Sequence, residues 1–150
     1  MKLLFSAVAA VAILTSGMAP GLAADAKSHR VAIQVDQNDA AVMNLALNNA
    51  TNIMEAYKAK GEEVQVEIVT YGPGLHMLRD DTSPVKDRIK QIAEASFPAS
   101  IKFAACDNTK VGMEKREGHP ISVISQATVV PSGAVRLMEL QEDGWSYLKP

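Results

Sequence analysis

The sequence predicts an α/β protein with a mostly parallel β-sheet and helices on both faces of that sheet. Short stretches of alternating apolar residues, typical of strands, follow one another at intervals that each leave room for a helix. The clearest interval separates residues 29–35 from residues 64–71. A strand, a long helix and a second strand form a right-handed parallel βαβ unit, and the repeated alternation favours an open parallel sheet.

The first strand is predicted at residues 29–35, where Val31, Ile33 and Val35 alternate with other residues. The polar run 36–39 then supplies capping side chains for a long helix, and Gly61 stands where a C-terminal glycine belongs. Apolar residues recur on one face of this helix at spacings of four and three: Met43, Leu47, Ala50, Met54 and Tyr57.

The second strand is predicted at residues 64–71 and ends in Gly72-Pro73-Gly74, which reads as a plain tight turn. A second helix is expected from near Pro84, a proline of the kind found at the first helical position. Its apolar face contains Val85, Ile89, Ile92 and Ala93. Pro98 closes the connection to the next strand.

Three further strands and two further helices complete the domain, with expected positions 101–106, 107–118, 127–130, 133–141 and 145–148. The third strand stops at Cys106, and the helix after it has Val111 and Met113 as its apolar side and Gly118 as its end. Pro131-Ser132-Gly133 opens the last helix. No internal repeat or linker interrupts the pattern, so residues 25–150 are expected to form one domain.

The N-terminus reads as a signal peptide over residues 1–24. Lys2 precedes the short apolar run 3–14, and small residues at positions 21–26 offer a cleavage site after Ala24, with Ala23 or Ala26 as alternatives. The run is too short for a membrane anchor, which needs about 20 apolar residues. The mature protein is therefore expected in the periplasm or outside the cell, without a stable membrane anchor.

Charge and cysteine usage narrow the function. A formal net charge of −2 gives no basic surface of the kind that binds nucleic acid. Cys106 is the single cysteine of the chain, so an intrachain disulfide is excluded. In an exported protein this thiol is buried and inert, paired between chains, or used for chemistry.

Cys106 is the only strong nucleophile expected where ligands gather in parallel sheets, which is beyond the carboxyl ends of the strands. A cysteine just before a helix lies near unpaired N–H groups and the positive end of the helix dipole, and both favour the thiolate. The same amides could hold an anion. The alternative is that Cys106 is a small hydrophobic residue at the end of a buried strand.

Other polar groups suggest no catalytic set. His76 and His119 lack partners at metal-ligand spacing, so no metal site is predicted, and no nucleotide phosphate loop or catalytic triad is present. Asp80-Asp81 and the segment 114–117 are expected to be solvated. An amide cluster on the long helix is expected to be exposed or to bond to a neighbouring loop or chain: Asn48, Asn49 and Asn52.

Five stretches carry a resemblance that spans nearly the whole chain from Arg30 onward: residues 103–109, 46–52, 71–75, 129–135 and 140–150. As a set they resemble the DsrE/DsrF-like family of sulfur-relay proteins, and in particular its exported branch. The resemblance implies a flavodoxin-like, three-layer fold with about five strands. It also implies assembly into a trimer or hexamer.

For function, the resemblance implies that Cys106 accepts a sulfane sulfur as a persulfide and passes it to an acceptor thiol, without a cofactor. Asn108 and Thr109 would cap the following helix and offer donors to the persulfide. The remaining pocket or supporting residues are expected to be Tyr71, Gly72, Gly74, Ser132 and Gly133. The alternative function is a non-catalytic, oligomeric binding or assembly module in which Cys106 is buried and structural.

Overall fold

A computed structural model describes residues 29–96 and 101–150 of the chain. The predicted signal peptide and Pro98 lie outside these residues. The strands are β1 (His29–Val35), β2 (Val64–Thr70), β3 (Ile101–Cys106), β4 (Ala127–Val130) and β5 (Ser146–Leu148). The helices are α1 (Ala40–Ala59), α2 (Lys86–Ala95), α3 (Asp107–Glu117) and α4 (Gly133–Glu142), with a 3₁₀ helix at Gly72–Met77.

The five strands form one sheet in the order β4-β3-β2-β1-β5, and every neighbouring pair is parallel. The predicted α/β fold with three layers is confirmed, and the sheet is wholly rather than mostly parallel. From β1 to β4 each new strand is added on the same side, and only β5 returns to the far side of β1. Right-handed connections therefore place α1, α2 and α3 on one face and α4 on the other.

The two faces of the sheet bury cores of different size. The larger core lies under α1, α2 and α3 and includes Ile33, Ile68 and Phe103. On the opposite face Leu137 and Leu140 of α4 pack on a smaller cluster of Ala32, Val69 and Ala104. Burial of each leucine contributes about 2 kcal/mol. The two alanines leave room for α4 to lie close to the sheet, and the N-terminus of α4 lies at the carboxyl edge because α4 follows the parallel strand β4.

Helix α1 begins and ends as the sequence predicts. The Asp39 carboxylate caps its start by accepting hydrogen bonds from the N–H groups of Ala41 and Val42. Gly61 follows its end with a φ of 70°, a left-handed conformation that favours glycine. One of the three predicted amide residues has a partner, because the Asn48 side chain accepts a hydrogen bond from the Arg88 guanidinium.

The structure corrects two predicted features between β2 and β3. Gly72-Pro73-Gly74 is the first turn of a 3₁₀ helix rather than a plain turn. This helix runs along the end of β1, where a Cβ added to Gly74 would lie 2.1 Å from the Val35 carbonyl oxygen. Helix α2 begins at Lys86, two residues after Pro84, because the Ser83 hydroxyl instead accepts the Val85 N–H in a turn before the helix.

Helix α3 is less apolar than predicted. Met113 is buried, but Val111 on the expected apolar side is 36% exposed. Two carboxylates in the segments expected to be solvated, those of Asp81 and Glu117, accept hydrogen bonds from the Arg79 guanidinium. Asp81 and Glu117 are exposed as predicted, but the sequence did not indicate the buried arginine that the folded chain brings between them.

Candidate functional site

Cys106 lies between the N-termini of two helices. It is the last residue of β3 and the N-cap of α3, and it is only 4% exposed. Side chains alternate along a strand, so Cys106 shares a face with Ala104, which packs against α4. Because α4 follows the neighbouring strand β4, its first residue, Gly133, also reaches the sulfur.

The surroundings of the sulfur favour the thiolate. Burial by itself raises the pKa of Cys106, but the hydroxyl of Thr109 and the N–H groups of Gly133, Thr109 and Asn108 outweigh it and bring the pKa below its ordinary value. The neutral thiol makes no capping hydrogen bond to the first turn of α3. These donors therefore act mainly on the negative charge once it forms, assisted by two helix dipoles.

Thr109 connects the sulfur to the 3₁₀ helix. Its Oγ1 accepts a hydrogen bond of 2.9 Å from the N–H of Gly72. With an acceptor lone pair used in this way, the hydroxyl proton is free to point toward Cys106. Gly72, which donates this hydrogen bond, has a φ of 52°, and this left-handed conformation favours glycine.

Gly133 allows α4 to begin beside the sulfur. A Cβ at this position would lie 3.0 Å from the Tyr71 Cβ and 3.2 Å from the Thr70 carbonyl oxygen. Any larger residue would thus push the first turn of α4 away from the end of β2. The N–H that Gly133 directs toward Cys106 depends on this close approach.

The remaining predicted residues occupy different places around this centre. Ser132 is the N-cap of α4 and accepts the Val135 N–H, so it fixes the helix start. The N–H of Asn108 donates to the Pro131 carbonyl, which joins α3 to the segment before α4. Gly74 packs on the backbone of β1 and supports the 3₁₀ helix rather than the sulfur.

Tyr71 joins the centre to a polar cluster at the ends of β1 and β5. Burial, followed by the Asp36 charge, raises the pKa of the Tyr71 hydroxyl. Asp36 in turn forms an ion pair of 2.8 Å with Lys149, whose ammonium holds the pKa of that carboxyl below its usual range. Gln34 accepts from the Tyr147 hydroxyl and donates to Asp36. This cluster is not apparent from the sequence, because its members are scattered from residue 34 to residue 149.

A solvent-open cleft of about 430 Å³ adjoins the centre. It lies between the 3₁₀ helix and α3, and its lining residues are Asn38, Gly72, Pro73, His76, Asn108, Thr109, Gly112, Met113 and Arg116. Cys106 is not part of the wall. Thr109 and Asn108 line the cleft and also lie beside the sulfur, so these two residues connect the cleft to the thiol.

The structure places the two histidines apart from the sulfur centre. His76 lines the cleft, whereas His119 lies near Glu117 beyond the end of α3. In residues 29–96 and 101–150 no three His, Cys, Asp or Glu side chains converge as a metal ion would need. Over the same residues, no helix combines the length and the apolar character required to span a bilayer.

Arg79 is the most prominent residue near the site that the sequence did not indicate. Its side chain is 2% exposed and donates to both carboxylate oxygens of Asp81 and of Glu117, at distances from 2.6 to 2.9 Å. The Arg79 guanidinium lowers the pKa of Asp81 to about 2. This cluster anchors the C-terminal half of α3, one wall of the cleft, to the segment after the 3₁₀ helix.

Fold and site together define a small α/β protein with one cysteine, whose pKa is below its ordinary value, at the carboxyl edge of a parallel sheet. The sequence model of the DsrE/DsrF-like family matches residues 29–150. The chain belongs to this family. Among solved structures it is similar to that of MTH1491, a protein of unknown function from Methanobacterium thermoautotrophicum, with 27% identity and a TM-score of 0.65 over 81% of this chain and 99% of that one. Comparison with curated proteins found no match.

Proposed function

We propose that this protein is an exported sulfur carrier of the sulfur-relay type, which accepts a sulfane sulfur on Cys106 and hands it to an acceptor thiol. The observation that carries the proposal is the convergence of donors from α3, α4 and Thr109 on the only thiol of the chain. Membership of the DsrE/DsrF-like family supports the same role.

The chemistry requires two exchanges and no cofactor. The Cys106 thiolate attacks the sulfane sulfur of a donor, a new S–S bond forms, and the old bond breaks with its electron pair leaving on the donor remnant. An acceptor thiolate then attacks the outer sulfur of the persulfide and releases Cys106 as thiolate. Electrons balance within each exchange, so neither an oxidant nor a reductant is consumed.

The same donors suit the loaded form. A persulfide carries its negative charge on the outer sulfur, farther from the backbone than the thiolate charge. The N–H groups at the starts of α3 and α4 and the Thr109 hydroxyl lie around the Cys106 sulfur, and we expect them to stabilise the charge of the attached outer sulfur as well. Anions are stabilised at helix N-termini for this reason, so the site favours holding the sulfur until an acceptor arrives.

Export and assembly complete the proposal. The charged, apolar and small-residue segments within residues 1–24 are the basis for a periplasmic or secreted location. We further expect a trimer or hexamer, as the resemblance to the family implies. The exposed apolar side chains Val129, Val135 and Met138 on β4 and α4 are compatible with contacts between copies.

The test is the intact mass of the protein after incubation with polysulfide, before and after addition of a reductant. We expect the wild type to gain whole sulfur atoms that the reductant removes. Cys106→Ser is the matched control and should gain none. An unmodified wild-type protein, or equal gains in both proteins, would show that Cys106 does not carry sulfur.

One observation favours a second candidate, a non-catalytic binding or assembly module. Cys106 is 4% exposed, the accessibility of a core residue rather than of an open nucleophile. Alkylation under native conditions separates the two functions. Modification far slower than that of a free thiol, with Cys106→Ser retaining the assembly state and unfolding temperature of the wild type, would favour the binding module.

A further inference from the structure

The cleft beside Cys106 offers positive and amide groups and has no carboxylate among its lining residues. Arg116 and His76 stand on opposite walls, on α3 and on the 3₁₀ helix, with the amide side chains of Asn38 and Asn108 in the same lining. The local composition of this cleft therefore favours anions, although the net charge of the whole chain is −2.

Arg116 is available to a ligand. Within the part of the chain that the structure describes, its guanidinium forms no ion pair and no side-chain hydrogen bond, whereas Lys110 on the same helix is paired with Glu114. Gly112, one turn earlier, leaves room for it: a Cβ added there would lie 3.9 Å from the Arg116 Nη1. The guanidinium therefore lies along α3 at the cleft wall, with its donors unused by described residues.

One ring nitrogen of His76 has a hydrogen-bond partner, and the other has none among the described residues. Its Nδ1 lies 2.8 Å from the Thr82 hydroxyl, and no described residue forms a hydrogen bond with Nε2. Glu117 interacts electrostatically with His76, but both oxygens of Glu117 accept hydrogen bonds from Arg79. This carboxylate is thus already paired with another cation.

We propose that this cleft is a subsite for a small sulfur oxyanion and that the sulfur donor of the protein is thiosulfate. Arg116, His76 and Asn108 bind the sulfonate oxygens, and Asn108 and Thr109 direct the sulfane sulfur toward Cys106. The inference rests on the proposed sulfur-carrier function, because it names the donor for the same thiol. The volume of about 430 Å³ accommodates such an anion with water around it.

The transfer is balanced without a further reactant. The Cys106 thiolate attacks the sulfane sulfur of thiosulfate, the bond from Cys106 to that sulfur forms, and the S–S bond of thiosulfate breaks. Its electron pair leaves with the sulfonate half, which departs as sulfite. The charge that grows on this leaving group is the charge that Arg116 faces.

The test compares Arg116→Gln with Lys115→Gln. Lys115 is exposed, lies next to Arg116 on α3, and forms no ion pair with a described residue, so its replacement removes the same charge without touching the cleft lining. Calorimetric titration of thiosulfate into Cys106→Ser protein measures binding without sulfur transfer. We expect Arg116→Gln to weaken this binding about tenfold, the loss of one charge-assisted contact, and Lys115→Gln to leave it within twofold.

The second measurement is the rate of sulfite release from thiosulfate by protein that retains Cys106. We expect Arg116→Gln to slow release about tenfold and sulfate, which has the oxyanion without the sulfane sulfur, to inhibit the wild type competitively. Loading from polysulfide should be unchanged by Lys115→Gln, which lies outside the cleft lining. Unfolding temperatures of the two variants should agree, which shows that the change does not act through folding.

Two results separate this inference from the function on which it rests. If polysulfide loads Cys106 but thiosulfate neither binds nor releases sulfite, or if both variants behave alike, the subsite is wrong and the sulfur carrier stands. If thiosulfate binds through Arg116 yet neither donor loads Cys106, the subsite stands and the sulfur carrier is wrong.

Discussion

Replacement of Thr109 with valine tests how this fold activates its thiol. Valine keeps the shape and volume of threonine but removes the hydroxyl that accepts the Gly72 N–H and lies beside Cys106. The variant therefore loses a donor that stabilises the thiolate and leaves the N–H of Gly72 without its acceptor. Thr109→Ser retains the hydroxyl and is the matched control.

The expected size follows from the interaction removed. A hydrogen bond to a charged group is worth about 1.5–3 kcal/mol, and each 1.4 kcal/mol changes an equilibrium tenfold. The thiolate fraction below the pKa of Cys106, and with it the alkylation rate at fixed pH, should fall at least about tenfold in Thr109→Val. The unpaired N–H of half-exposed Gly72 should also reduce the free energy of unfolding by about 1 kcal/mol.

The assay is the rate of alkylation of Cys106 as a function of pH, followed by intact mass under native conditions. We expect the midpoint to move to higher pH in Thr109→Val and to stay near the wild-type midpoint in Thr109→Ser. A Thr109→Val protein with the wild-type pH profile would refute the reasoning, because it would show that the helix N-termini alone set the thiol pKa.

Three more substitutions test the supports of the site. Gly74→Ala should lower the free energy of unfolding by more than about 3 kcal/mol, since its Cβ would meet the Val35 backbone at 2.1 Å, and denaturant titration measures the loss. Gly133→Ala should be milder in stability, with contacts of 3.0–3.2 Å, but should slow Cys106 alkylation by displacing the α4 N-terminus. Arg79→Met should lower the unfolding temperature, because it removes the ion pairs that tie Asp81, after the 3₁₀ helix, to Glu117 at the end of α3. The depressed pKa of Asp81, about 2 against 3.8, means that the wild-type pair stabilises fully above pH 4 and is lost as pH falls toward 2, so thermal unfolding of Arg79→Met should depend less on pH in that range.

Much of the fold could be predicted because each element has a local cause. Alternating apolar residues mark β1 to β3, and Asp39 and Gly61 mark the ends of α1, so their positions follow from the chain itself. The start of α2 was missed because Ser83 turns its hydroxyl to a neighbouring N–H and delays the helix. The 3₁₀ helix was missed because its reason is the backbone of β1 against Gly74, a contact distant in sequence.

Like the fold, the site could be predicted only where it depends on local sequence. The position of Cys106 before a helix pointed to the donors of α3, which depend on local sequence. The donor from Gly133 and the acceptor role of Thr109 toward Gly72 depend on strand order, and a spacing pattern does not reveal strand order. Arg79 was missed for a related reason. A single arginine between apolar and acidic residues is normally expected at the surface, and only the folded chain brings its carboxylate partners together around it.

Strand order also explains why the thiol stands at β3. In open α/β sheets the crevice for ligands lies where the order of strands reverses, which here is between β1 and β5. That place is occupied by the Asp36–Lys149 ion pair and by Tyr147 bonded to Gln34. At β3, by contrast, one helix N-terminus comes from each face of the sheet. A single cysteine there receives donors from both faces, which outweigh the effect of its burial and bring its pKa below the ordinary value.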